Sequence, residues 1–304
     1  MKRNFKACYP NHVYCKGING NMVFYSTADC IYYLTLYSCL ARRYHIRTTA
    51  FSIMPNHTHS QQEAASKKPF MTFNQELSSM FTLGYNEQHG REGGLFESPF
   101  GSVPKTGGKY IKNNLSYINN NGAEGRLSEG VLDYRWNLMA YCKSDHPFSE
   151  RIVPSQASQR LRSAMRYVLK QCREGKPIGY KVQGFLFKGL NTKERKQLQD
   201  YIIFQYNFMD YSALTKYYGS FDNALAAMNS NTGSEHDMRE EWEDFSEYKA
   251  MMEISSKAGY KMEKINFRSL DKETLFQLAI RLSTVTRSRK KICRFLHLDI
   301  PGQD

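Results

Sequence analysis

The first half of the chain alternates between short runs of β-forming residues and stretches whose apolar residues recur every three or four positions. The first kind of pattern predicts strands, and the second predicts amphipathic helices. The predicted strands cover residues 12–18, 46–54, 57–64 and 93–100. The predicted helices cover residues 28–43, 72–85 and 109–121, and a flexible loop is expected over 103–108. Strands interleaved with covering helices predict an α+β domain over residues 1–148.

After residue 148 the alternation stops, and the pattern predicts helices only. They are expected at residues 155–174, 192–206, 210–217, 220–229, 237–257, 271–283 and 288–296. The segment 272–298 has the spacing of a helix-turn-helix whose second helix opens with basic residues. A solvated helix pair that packs on the rest of the chain is the alternative. We therefore expect a second, mainly helical and basic domain over residues 149–304, which would bind DNA.

Charge narrows the class of partner. The 304 residues carry a formal net charge of +13, and the isoelectric point is near 9.3. This excess indicates a polyanionic partner, most often a nucleic acid. The cations concentrate in two clusters, one at residues 151–176 and the other at residues 287–294. The candidate DNA-binding residues from these clusters are Arg160, Arg162, Arg166, Lys170, Arg287, Arg289, Lys290 and Lys291.

Composition also bears on location. The mean hydropathy is −0.61, and no run of 18 apolar residues occurs, which argues against a membrane span. The N-terminal residues are basic but precede no apolar stretch, so no signal peptide is expected. The seven cysteines are scattered and form no Cys-x-x-Cys pair. A reducing cytoplasm fits this pattern better than an oxidising compartment, and a DNA partner would imply association with the nucleoid.

Two histidines, His57 and His59, open the predicted strand 57–64. Side chains two residues apart on a strand point to the same face, about 7 Å apart, and can hold one metal ion together. Pro55 ends the strand before them, and Asn56 can supply polar support. A His-x-His pair by itself is also common on surfaces and in hydrogen-bonded cores, so its interpretation depends on its surroundings.

Tyr117 and Asn121 lie four residues apart on the predicted helix 109–121 and therefore share one helix face. That face could present a nucleophile and a metal ligand together. A phenol has a pKa of about 10 and is a weak nucleophile at neutral pH, so attack on a phosphate would need an adjacent cation. The alternative is that Tyr117, one of 21 tyrosines, packs in the core.

Five segments of the first 148 residues resemble, in the same order, motifs of the single-tyrosine HUH transposases, and most closely those of the REP-associated tyrosine transposases. They read NHVYCKGING, AFSIMPNHTH, GGLFESPFGSV, YIKNNLSYINNNGAEGRL and DYRWNLMAY. The second segment is the most specific, because it contains the Met-Pro-Asn-His-x-His string of the family. Here Thr58 stands at the usually apolar position between the histidines.

The resemblance implies a ferredoxin-like HUH domain that cleaves and rejoins single-stranded DNA. It implies that Tyr117 forms a 5′-phosphotyrosine, and that His57, His59 and Asn121 bind Mg²⁺ or Mn²⁺. DNA with hairpin or inverted-repeat ends would be the substrate. Since one tyrosine serves each site, cutting two ends would need a homodimer.

The chain also departs from the family pattern. Gly122 replaces the usual proline after the asparagine, which is expected to loosen the helix end. Residues 60–62 are polar where the family is apolar, which predicts a polar or exposed strand. One alternative function is a domesticated, non-catalytic DNA-binding protein that keeps the fold. A replication initiator or relaxase is less consistent with the sequence, because no P-loop motif is present.

Overall fold

The computed structural model describes residues 3–230 and 243–299. Within these ranges the chain forms a four-stranded antiparallel sheet and eleven α-helices, which confirms the predicted α+β class. The strands are β1 (Asn11–Lys16), β2 (Arg47–Ile53), β3 (His57–Glu63) and β4 (Gly101–Pro104). The helices of the first half are α1 (Thr27–Tyr44), α2 (Lys67–His89) and α3 (Gly108–Glu124).

The strand order in the sheet is β2-β3-β1-β4, and the chain runs β1-α1-β2-β3-α2-β4 before α3. Alternation of side chains sends Val13 and Cys15 to the face that packs with α1 and α2. The opposite face packs against α3, where Ala50 of β2 contacts Leu115 and Ile118. The sheet is therefore covered by helices on both faces, and α3 lies over the face that carries the candidate site.

The fourth strand lies later in the chain than the sequence predicts. Residues 93–100 were expected to form a strand, but within them only Phe96 makes a bridge, to Gly17. Pro99 has no N–H to donate to a sheet, and Gly93 has a φ of 83°. The strand begins at Gly101, where a Cβ would lie 2.3 Å from the ring of Tyr14. The prediction of a loop over residues 103–108 is wrong at its first two positions, which belong to β4, and at its last, which begins α3.

The polar strand β3 is buried, so the exposed alternative for residues 60–62 is wrong. The Gln62 amide exchanges two hydrogen bonds with Asn74 of α2, at 2.9 and 3.1 Å. On the other face Asn114 of α3 donates to Gln61 Oε1 at 2.6 Å, and Gln61 donates to Thr49 at 2.9 Å. Buried amides need such partners. The amide pairs thus align one helix on each face of β3.

The described part of the second half is helical, as predicted. Its helices are α4 (Gln159–Arg173), α5 (Tyr180–Phe187), α6 (Thr192–Gln205), α7 (Ser212–Tyr218), α8 (Phe221–Asn229), α9 (Ser246–Lys257), α10 (Lys272–Leu282) and α11 (Arg289–Leu296). Of the predicted helix 237–257, residues 237–242 lie outside the described residues. The sequence did not predict α5, which contains Gly184 and is only eight residues long. It is stabilised by packing on α1, since Leu186 is buried and Gln183 donates to the carbonyl of Ala28.

The hydrophobic cores combine residues from both sides of residue 148. The largest core joins α1 and α2 to α4 and α6, and includes Leu34, Val168 and Ile202. A second core joins Met54, at the end of β2, to Phe295 of α11. A fragment that ends at residue 148 would expose both of these surfaces. The division into two domains stays a prediction, and we expect such a fragment to fold poorly.

A buried carboxylate, Asp29, connects α1, α2 and α5. One of its oxygens accepts the backbone N–H groups of Tyr25 and Ser26, at 3.1 and 2.9 Å, at the start of α1. The other accepts the hydroxyl of Tyr180 at 2.8 Å and lies 3.2 Å from Nε2 of His89. Burial, and then the adjacent Asp29, raise the pKa of Tyr180, so that its hydroxyl stays protonated and donates.

We expect Asp29→Ala to lower the free energy of unfolding by at least about 3 kcal/mol, because it leaves a buried imidazole and hydroxyl without their acceptor. Chemical denaturation followed by circular dichroism measures this change. Asp222→Ala is the control, since it breaks an exposed ion pair with Lys143 and should leave stability nearly unchanged. Equal effects of the two substitutions would contradict the central role of Asp29.

Candidate functional site

His57 and His59 lie on β3 and point to the sheet face that α3 covers. Their ring centroids are 4.7 Å apart with an interplanar angle of 80°. His59 is buried, and His57 is partly exposed. The structure therefore places both imidazoles side by side, as the strand alternation predicts.

The proton position on His57 follows from its neighbour Asn56. Asn56 Nδ2 donates to the carbonyl of Gly20 at 3.1 Å and to a carboxylate oxygen of Glu243 at 3.2 Å. Both partners can only accept, so the amide oxygen of Asn56 must face the ring. His57 Nδ1, 2.5 Å from that oxygen, is thus the donor and carries the proton. A metal ion would bind Nε2 of this ring.

A third histidine, His12, lies on β1 beside His59. His12 Nε2 and His59 Nδ1 are 2.9 Å apart, and both rings are buried. If His59 binds a metal through Nε2, its Nδ1 donates to His12, which then orients the ring. His12 is not among the site residues predicted from the sequence. The signal was a histidine two positions before Tyr14 on a predicted strand, but only the pairing of β1 with β3 shows which residue it meets.

Tyr117 of α3 reaches the same group of side chains. Its ring centroid lies 5.4 Å from that of His59 and 5.8 Å from that of His12. Close approach of α3 to the sheet is allowed because Ala50 is small and packs against Leu115. Tyr117 is buried, with 7% of its surface exposed. Tyr117 therefore packs in the core, which was the alternative interpretation, and also contacts the histidines.

Asn121 lies one turn after Tyr117, near the C-terminal end of α3. The side chain is buried, and its Nδ2 has no hydrogen-bond partner among the described residues. Just beyond it, the carbonyl of Gly125 accepts the N–H of Phe245 at 3.0 Å. The ring of Phe245 in turn lies 5.8 Å from that of His57. Asn121 thus brings unused hydrogen-bonding capacity to this end of the site.

Gly122 does not loosen the end of α3, so that expectation is wrong. The helix continues to Glu124. A Cβ at position 122 would lie 2.3 Å from the ring of Tyr134, whose hydroxyl donates to the carbonyl of Ile53. Glycine is required here because an aromatic ring packs directly against the helix backbone.

The side chains of His57, His59 and Asn121 suit a divalent cation. Two imidazole nitrogens and the amide oxygen of Asn121 would leave coordination positions for water and phosphate oxygens, as Mg²⁺ and Mn²⁺ require. The ligand atom would be Oδ1 of Asn121, because Nδ2 is an N–H donor and cannot bind a cation; this Nδ2 has no hydrogen-bond partner among the described residues. Among the described residues, no three His, Cys, Asp or Glu side chains are grouped to hold a metal. A three-ligand site therefore depends on Asn121.

The candidate DNA-binding residues on α4 mostly face solvent. Arg160, Arg166 and Lys170 are exposed. Arg162 is half-buried and donates to the carbonyls of Pro154 and Ala157 at 3.2 and 2.8 Å. Three of the four predicted cations on α4 are thus placed to meet a polyanion.

The cations at the start of α11 divide into two groups. Arg287 and Arg289 are exposed, and Lys290 is half-buried. Lys291 instead forms an ion pair with Glu247 and donates to the carbonyl of Asp244 at 3.0 Å. The structure thus places Lys291 against the protein, so it is poorly placed for contact with DNA. The two helices of the predicted helix-turn-helix are present, as α10 and α11.

No protein-family model matches this chain, and no curated protein or solved structure matches it either. In the described ranges, no helix is both long enough and apolar enough to cross a membrane. The support for a function therefore comes from the residues of the site.

Proposed function

We propose that this protein is a metal-dependent enzyme of the single-tyrosine HUH transposase type, which cleaves and rejoins single-stranded DNA at specific sites. The observation that carries the proposal is the placement of Tyr117, whose ring lies 5.4 Å from His59 on the face shared with His57. The β1-α1-β2-β3-α2-β4 connectivity and the strand order β2-β3-β1-β4 support it. They agree with a ferredoxin-like fold.

In this proposal His57, His59 and Asn121 hold Mg²⁺ or Mn²⁺. The bound ion supplies polarisation of the scissile phosphate and stabilises the charge that develops on it. His12 and Asn56 orient the two imidazoles through their Nδ1 atoms. The protein thereby keeps the two ligand nitrogens in fixed positions before DNA arrives.

Tyr117 is the nucleophile of the proposed reaction. Its phenol oxygen forms a bond to phosphorus while the bond from phosphorus to the 3′ oxygen breaks. The phenol proton is lost to solvent, and the departing 3′ oxygen takes up a proton. The products are a 5′-phosphotyrosine and a free 3′-hydroxyl. Attack of a 3′-hydroxyl on the phosphotyrosine reverses these bond changes and joins two strands.

The proposed partner is single-stranded DNA with hairpin or inverted-repeat ends. The net charge of +13 favours a polyanion, and the exposed cations of α4 can neutralise phosphates. Because each chain supplies one Tyr117, cutting two DNA ends would use two chains. We therefore propose a homodimer as the working unit.

The test of the proposal uses end-labelled single-stranded DNA from the flanks of its own gene, incubated with the protein and Mn²⁺ or Mg²⁺. We expect a covalent adduct that survives a denaturing gel and disappears after protease treatment. Binding of the same DNA without any adduct would contradict the proposal. It would favour the non-catalytic DNA-binding alternative.

Charge removal on α4 tests the proposed DNA-binding surface. We expect the combined change Arg160→Gln, Arg166→Gln and Lys170→Gln to weaken binding of single-stranded DNA. The slope of log affinity against log salt should become shallower by about 0.7 for each phosphate that the variant no longer neutralises. Fluorescence anisotropy titrations from low to moderate salt measure that slope.

The control for this prediction removes the same formal charge at three other exposed positions, Lys196, Lys216 and Lys272. These substitutions should change the slope much less. If both triple variants shifted the slope equally, only the overall charge would matter, and α4 would not be a specific binding surface.

A further inference from the structure

Glu243 brings a carboxylate from the C-terminal half of the chain to the candidate site. One oxygen accepts from Arg294 Nη1 at 3.0 Å and from the hydroxyl of Tyr248 at 2.9 Å. The other accepts from Nδ2 of Asn56 at 3.2 Å. The side chains of Glu243 and Arg294 are only 14% and 15% exposed. The carboxylate is thus held in one orientation, with its second oxygen directed at Asn56.

This contact extends to His57 through the Asn56 amide. The negative charge of Glu243 beside Nδ2 polarises the Asn56 amide. The amide oxygen thereby becomes a stronger acceptor for the Nδ1 proton of His57. A stronger hydrogen bond at Nδ1 fixes the ring orientation and increases the basicity of Nε2. Partners of this kind tune the affinity of a histidine for a metal without touching the metal.

We infer that Glu243 is a positioning residue of the candidate active site, which acts through Asn56 to fix the orientation and proton position of His57. The inference rests on the proposed function, in which His57 is a metal ligand. It assigns a role in the site to the residues just before α9 and to α11, since Arg294 of α11 forms an ion pair with Glu243. The C-terminal half then does more than bind DNA.

A purely structural role for Glu243 is the competing explanation, because its ion pair with Arg294 also fastens this segment to α11. Glu247 provides a matched comparison. It pairs with Lys291 of the same helix, and Asn56 is not among its partners in the described part of the chain. A substitution at Glu247 thus perturbs the packing of this segment on α11. It leaves in place the hydrogen bonds that connect Glu243 through Asn56 to His57.

The first readout is the tautomer of His57 in the metal-free protein, measured by nitrogen-15 NMR at a pH where the ring is neutral. The His57 signal is assigned by its loss in His57→Gln. We expect the proton on Nδ1 in the wild-type protein and in Glu247→Ala. In Glu243→Ala we expect a mixture of the two tautomers, because Asn56 then accepts more weakly and turns more freely.

The second readout is Mn²⁺ affinity, measured by electron paramagnetic resonance without DNA. We expect Glu243→Ala to weaken binding about tenfold, at the lower end of the range for residues that orient metal ligands. Glu243→Gln should lie between Glu243→Ala and the wild type, because its amide oxygen still accepts from Asn56 but carries no charge. Glu247→Ala should bind Mn²⁺ within about twofold of the wild type, since its path to the site is indirect.

An unchanged tautomer together with unchanged Mn²⁺ affinity in Glu243→Ala would overturn the inference and leave the proposed function standing. If the wild-type protein binds no Mn²⁺, the proposed metal site fails, whereas the NMR result still decides whether Glu243 controls the ring of His57. If Glu243→Ala does not fold, the near-isosteric Glu243→Gln is judged by the same two measurements. Equal losses in the Glu243 and Glu247 variants would show a structural role only.

Discussion

Replacing Tyr117 by phenylalanine is expected to abolish the covalent protein–DNA adduct and to reduce cleavage by more than about 10⁴-fold, because it removes the oxygen that we propose as the nucleophile. The phenylalanine ring should keep the contacts with His12 and His59, whose centroids lie 5.8 and 5.4 Å away. Affinity for single-stranded DNA should therefore remain close to that of the wild type. Denaturing gels with labelled DNA measure the adduct, and anisotropy measures the affinity.

Tyr110 supplies a matched control for this experiment. It lies two turns earlier on the same helix and is 60% exposed, so Tyr110→Phe removes an identical hydroxyl from a solvent-exposed side chain. We expect full adduct formation in that variant. An adduct that persisted in Tyr117→Phe would show that another nucleophile acts, and would overturn the assignment of Tyr117.

Replacement of His57 or His59 is expected to have the second large effect on cleavage. We expect His57→Ala and His59→Ala each to weaken metal binding by orders of magnitude and to eliminate cleavage, since each removes one of the three proposed protein ligands. Chelation of the metal with EDTA should also eliminate cleavage by the wild-type protein. Addition of Mn²⁺ should then restore cleavage in the wild-type protein but should not give cleavage in either alanine variant. Cleavage assays combined with direct Mn²⁺ titration measure both parts of the prediction.

His146→Ala is the control, because His146 is not part of β3 and lies next to Asp145 on a partly exposed segment. It should cleave normally and bind Mn²⁺ normally. Cleavage at the full rate in excess EDTA would show that the two histidines do not form a catalytic metal site. Retained Mn²⁺ affinity in both alanine variants would place the metal elsewhere.

Local periodicity was enough to predict the parts of the site that lie on single elements. His57 and His59 share a face because side chains alternate along a strand, and Tyr117 and Asn121 share a face because they are four apart on a helix. The α+β class followed from the same periods. These features depend on residues only a few positions apart, so the sequence contains the information directly.

Buried polar residues were harder to interpret. Gln61 and Gln62 read as a polar or exposed strand because their partners, Asn114 and Asn74, lie on two different helices. A glutamine in the core is indistinguishable from one on the surface until its partner is known. The sequence places the fourth strand too early, at residues 93–100, for a related reason. The start of β4 depends on the ring of Tyr14, which packs over Gly101.

The sequence by itself determined the type of most elements, although not α5 or the position of β4. It also determined the pairs of residues that share one face, which are His57 with His59 on β3 and Tyr117 with Asn121 on α3. Only the tertiary structure decided what meets those pairs. His12 lies 47 residues from His59, and Glu243 lies 187 residues from Asn56. The tertiary structure also turned Lys291 toward the protein, where a basic helix had predicted contact with DNA. Such contacts depend on strand pairing and on the packing of distant helices, so no local periodicity along the chain predicts them.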